Sequence, residues 1–176
     1  DHLWFFTAPA GHALDHLGTL QPHFQAVSAT FRPDRVAVPA FEQGHLDHDA
    51  TNLLANLTWP GHVLEFPMYH TYLGRYQTLN VFAGEGPGER LDLQREESAL
   101  KITCARAYPS QTLWRNVLWY ERIWRWLGRA PRLAHREWLR VQTHRDFRTP
   151  NHPSPLRNRI QRSHEWARWL TALDQF

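Results

Sequence analysis

Apolar positions along this chain switch between two spacings. Across residues 19–31, Leu20, Phe24, Val27 and Phe31 step by four and three, the signature of one helical face, and Pro22 falls near the start, where a helix tolerates it. The run VAVPA at 36–40, entered through Pro33-Asp34, instead has the length and composition of a buried strand. Three more segments read as strands: the aromatic HLWFFTA at 2–8, PGHVLEFP at 60–67 and YQTLNVFAG at 76–84. Helical spacing returns at 49–57 and 95–107. It also covers 112–128, where Leu113, Val117, Tyr120, Trp124 and Leu127 share a face ahead of Gly128, and a final segment at 164–173. Strands alternating with helices predict an α/β fold, a mostly parallel sheet flanked by helices. In such sheets chemistry gathers in the loops after the strands.

Length changes this picture little: 176 residues, 42% of them apolar, suit one domain with a real core. The expected division is an α/β portion over 1–128 and an Arg/Pro-rich helical C-terminal extension over 129–176. No apolar run reaches the eighteen or so residues that a membrane span needs, and no secretory signal pattern is visible. The single cysteine, Cys104, excludes an intrachain disulfide and a cysteine-rich zinc site. It suits a reducing compartment, so a cytoplasmic location is expected, with Cys104 a buried small hydrophobe. Any metal site must draw on His, Asp and Glu.

Charge is more informative. Residues 1–100 carry 5 basic and 12 acidic side chains and residues 101–176 carry 15 and 5, and Lys101 is the only lysine. A basic, Trp-rich second half raises the question of an anionic partner. The Trp residues fall at helical spacing, so packing between helices accounts for them better than stacking on bases.

The chemistry concentrates in FEQGHLDHDATNLL, which follows the strand at 36–40. His45 and His48 flank Asp47, a carboxylate able to orient an imidazole through its ring N–H. Gly44 would let the backbone turn sharply into the site. Two histidines supply part of a metal centre, since catalytic zinc usually takes three protein ligands. The segment HALDH at 12–16 repeats the spacing outside a strand–loop–helix context.

The stretch RPDRVAVPAFEQGHLDHDATNLL resembles the late motif of the PIG-L/LmbE-like zinc-dependent de-N-acetylases, a strand introduced by Pro-Asp, then Gly-His-Pro-Asp-His, then a helix. FFTAPAGHALDHL and KITCARAYPSQ agree with that family's flanking patterns in order and approximate spacing. The resemblance implies a Rossmann-like domain and Zn²⁺ chemistry that removes an acetyl group from a GlcNAc-containing substrate. By residue, it implies His48 as a zinc ligand, His45 as the acid that assists the intermediate or leaving amine, and Asp47 as its partner. Gly44, Gln111 and Tyr69 would line the substrate, while Lys101 and Ser110 match positions of structural or lining character. Leu46 stands where the family has Pro. The family's opening His-Pro-Asp-Asp-Glu motif, which carries two ligands and the base, has no counterpart here. The chain is therefore expected to be the C-terminal portion of the domain, with N-terminal strands missing, an incomplete zinc ligand set and negligible activity alone.

Two other readings compete. NHPSPLRN at 151–158 resembles the loop that uracil-DNA glycosylases insert into the minor groove, without their water-activating motif. A non-catalytic module gripping nucleic acid or another anionic partner through Arg and Trp is the second. The histidines at 62, 70, 144, 152 and 164 are expected to be structural or on the surface, and Tyr69 with His70 to border the cleft.

Overall fold

The computed structural model describes residues 3–68, 80, 82, 88–108, 119, 121–123, 125–128 and 133–176. A 3-10 turn, Ala13–His16, leads into α1, Leu17–Phe31. Then come β1 (Arg35–Pro39), α2 (Leu46–Thr58), β2 (His62–Phe66), β3 (Glu89–Asp92), α3 (Arg95–Arg106), β4 (Arg136–Val141), α4 (Leu156–Gln161) and α5 (His164–Gln175). Among the described residues the sheet has four strands in the order β1-β2-β4-β3.

The sheet is mixed rather than mostly parallel. β1 and β2 pair in parallel, Val36 beside Val63, through the α2 crossover. β4 then pairs antiparallel with both β2 and β3. Neither β3 nor β4 was expected, because ERLD and REWLRV carry charged residues where a strand reading looks for apolar ones. The segment assigned to a helical extension thus puts a strand inside the sheet. The expected first strand fails too: residues 3–8 have no regular structure, and Leu3 and Phe5 are exposed. Its aromatic rings instead lie along α1, with Trp4 edge-on to Phe31 and Phe6 stacked on His23. The strand expected at 76–84 and the helix at 112–128 fall mostly outside the described residues. Of the latter, Trp119 and Trp126 are exposed, which removes the packing role expected for them, and Cys104 is exposed as well.

The main core joins Leu14, Leu17 and Leu20 to Phe41, Ala50, Leu53 and Leu54 of the loop and α2, and to Ile160, Trp166 and Trp169 of α4 and α5. A smaller cluster, Val38, Ala55 and Val63, seats α2 on the sheet. Among the described strands β1 is at the edge, where the missing N–H of Pro39 costs no ladder bond. Ser163 caps α5 by accepting from the Trp166 N–H, and so starts the helix that carries Trp166 and Trp169 of the main core.

An ion pair joins the 3-10 turn to α5. Asp15 receives both bonds of Arg168, at 2.7 and 2.5 Å, and a third contact from His12 at 3.0 Å. Arg168, then His12, hold its carboxyl below the usual 3.8. A depressed carboxylate pKa adds stability that is present above the unfolded value and lost as pH falls through the folded one. With the Asp15 side chain 42% exposed, the effect is small. Asp15→Asn should lower the thermal midpoint slightly near neutrality, and the gap from wild type should close below pH 3.8. A gap unchanged throughout acid titration would remove the ion pair from this role.

Candidate metal and acid–base site

β1 ends at Pro39, and the chain then makes a buried turn, Phe41, Glu42, Gln43 and Gly44, before α2 begins. The left-handed residue of that turn is Gln43, with φ 51°, and not Gly44. A non-glycine residue pays about 1–2 kcal/mol for that conformation, so other contacts must hold it. The Gln43 N–H donates to buried Asp49 at 3.2 Å, and its side-chain Oε1 accepts from the Asn151 N–H at 3.0 Å.

His45 is the N-cap of α2: its backbone is extended, and its Nδ1 accepts from the Asp47 N–H at 3.2 Å. Asp47 and Asp49 occupy the first turn, where carboxylates suit the helix dipole. His48 lies one turn along, and its ring centroid is 4.6 Å from that of His45, the planes inclined by 30°. Both imidazoles are half-buried. The structure therefore brings His45, Asp47 and His48 to one place at the carboxyl end of β1, and buried Gly44 adjoins them.

The geometry assigns Asp47 a contact that spacing did not suggest. Its carboxylate accepts from the Gly11 N–H at 2.5 Å and the Ala13 N–H at 2.9 Å, drawing the PAGHA turn onto the start of α2. Its tie to His45 runs through its own backbone N–H. An Nδ1 that accepts this bond carries no proton, so neutral His45 bears its hydrogen on Nε2. That is the arrangement a donor to substrate oxygen or nitrogen requires.

Beneath the turn lies a polar network that joins every neighbouring element. Glu65 of β2 accepts from the Phe41 N–H at 2.9 Å, Asn52 Nδ2 at 3.0 Å and Arg140 Nε at 2.6 Å. Arg140 also stands 3.8 Å from the Glu42 carboxylate and 4.1 Å over the Phe82 ring. Asn52 donates to Pro39 O, and Gln142 bridges Asn52 Oδ1 and His144 O.

Residues 150–152 close the turn from the other side. His152, 1% exposed, bonds through Nε2 to Glu42 O at 2.6 Å, and Asn151 Nδ2 reaches Phe41 O at 3.4 Å. Asn151 and His152 of NHPSPLRN are thus buried against the turn, whereas Pro153, Ser154 and Pro155 are exposed. Sequence reasoning missed these residues as neighbours of the site; the available signal was a Pro-Asn-His-Pro segment too polar and too rigid for an idle tail. Lys101 is structural: Nζ bonds Leu133 O and Arg136 O and pairs with Glu137 at 2.6 Å. Tyr69, His70, Ser110 and Gln111 lie outside the described residues.

Among the described residues no three His, Cys, Asp or Glu side chains converge on a metal-holding position. His45 and His48 alone offer two nitrogen donors. No helix among the described residues is long and apolar enough to cross a membrane.

No family model matches the chain, and no curated protein matches it. Among solved structures it is similar to the zinc-inhibited form of teicoplanin deacetylase Orf2, at 16% identity and a TM-score of 0.47, over 81% of this chain. The chain spans 58% of that protein's length.

Proposed function

We propose that His45, Asp47 and His48 form one side of a zinc-dependent de-N-acetylase site acting on a GlcNAc-containing substrate. The observation that carries this reading is the pair of adjacent imidazoles at the mouth of β1, in the Gly-His-x-Asp-His order the motif resemblance assigns to such a site. His48 is the ligand and His45 the donor, its neutral ring carrying hydrogen on Nε2 while Nδ1 accepts from the Asp47 N–H. Asp47 fixes the approach of the PAGHA turn and, through its backbone, the tautomer of His45. Zinc held there would supply an acidified water and a polarised carbonyl. A third protein ligand has to come from outside the described residues. Gly44, Tyr69 and Gln111 belong to the substrate wall in this reading.

Zinc titration followed by the imidazole ¹H–¹⁵N resonances tests the metal half. Zinc should perturb His45 and His48 before the other histidines, and His48→Ala should abolish that response. Resonances that stay unmoved, or move no more than those of His164, would sink the metal reading. Acetate release from N-acetylglucosaminyl conjugates by the full-length protein, lost in His45→Ala, tests the reaction.

A further inference from the structure

We propose that His152, with Asn151, is a positioning residue for the His45/His48 pair, acting through the backbone of the turn that precedes it. The inference deepens the proposed function and rests on its reading of those two imidazoles as the working groups.

The turn at Phe41–Gln43 is held on two sides. From within the domain, Glu65 takes the Phe41 N–H and Asp49 takes the Gln43 N–H. From the C-terminal segment, Asn151 meets Phe41 O and Gln43 Oε1, and His152 meets Glu42 O. Without the second set, a left-handed Gln43 would have strain to release and one side free to move. Any rotation there is transmitted over two residues to the N-cap His45, whose ring lies 4.6 Å from His48.

His152 suits this task better than a flexible donor. Its ring has few rotatable bonds, it is fully buried, and Pro150 and Pro153 limit the backbone on both sides. Its own carbonyl accepts from Arg157 Nε at 2.8 Å, which anchors the segment to α4. The bond to Glu42 O requires hydrogen on Nε2, so a side chain with an N–H at that position should substitute for it. Its effect on the two imidazoles runs through the turn, like that of outer partners that orient a metal's ligands.

The test compares His152→Ala, His152→Gln and a remote destabilised control, Leu20→Ala, which thins the core at α1. Three quantities are read: the imidazole ¹H–¹⁵N resonances of His45 and His48 without metal, zinc affinity by chelator competition, and the thermal midpoint. His152→Ala should move both sets of resonances and weaken zinc binding about tenfold. His152→Gln, whose amide nitrogen can reach Glu42 O, should restore both. Leu20→Ala should lower the midpoint and change neither. If His152→Ala does not fold, His152→Asn takes its place, since its amide falls short of Glu42 O. Unchanged resonances in either variant, or the same changes in Leu20→Ala, would overturn the proposal. A wild-type chain that ignores zinc would instead defeat the metal reading. The resonance comparison would still decide the positioning role.

Discussion

Replacing Glu65 by alanine is expected to cost about 3–5 kcal/mol of folding stability, the usual penalty for stripping one partner from a buried ion pair. Arg140 is 6% exposed and Glu65 1%, so water cannot take over the guanidinium's lost bond. The same change leaves the Phe41 N–H and one Asn52 N–H without their acceptor. Urea unfolding followed by tryptophan fluorescence measures the loss. The double variant Glu65→Leu/Arg140→Met separates charge from hydrogen bonding. Removing both charges should recover much of the deficit, leaving about 1–3 kcal/mol for the two amides. A single variant that loses less than about 1 kcal/mol would show the pair behaving as a surface salt bridge, and the network would not be the support we describe. Because Phe41 begins the turn that presents His45, the single variant should also disturb the His45 and His48 resonances.

Trp169→Ala is expected to destabilise the protein by a similar amount, about 3–5 kcal/mol for a large aromatic in a closed core. Trp169 is 1% exposed, its ring centroid lies 5.6 Å from that of Phe41, and its Nε1–H donates to Phe147 O at 2.8 Å. Phe41 in turn touches Phe147 at 4.7 Å between centroids. The indole thus braces the underside of the candidate site from the far end of the chain. Thermal unfolding by circular dichroism provides the measurement. A midpoint within a degree or so of wild type would mean that α5 is a detachable extension, and that the core described here does not depend on it.

Both results bear on how residues 129–176 are regarded. Arg, His and Pro in that segment suggested a polar extension, and solvated polar tails are indeed common. Here the polar groups face inward in part: Arg140 to Glu65, Gln142 to Asn52, His152 to Glu42 O. Each is buried because its partner, far away in sequence, is buried opposite it. The spacing of apolar residues cannot reveal such pairs. A charged residue inside a strand-like apolar run, Glu65 in HVLEF or Arg140 in REWLRV, is the trace they leave in one dimension.

The amino-acid sequence specifies the local elements with strong periodicity, α1, β1, β2 and α5, because their apolar faces and caps lie within one turn or one strand. It also determined which chemistry could assemble after β1, since His45, Asp47 and His48 share the first turn of a helix and cannot lie far apart. The remaining features depend on the folded structure. It made the sheet mixed, by inserting β4 between β2 and β3, and gave the left-handed turn to Gln43 instead of Gly44, by holding it from Asp49 and Asn151. It directed the Asp47 carboxylate to the amides of Gly11 and Ala13. Apart from Gln43 and Asp49, residues 34 to 108 positions apart meet in these contacts, and their energy depends on burial and partner geometry, which spacing along a chain does not encode.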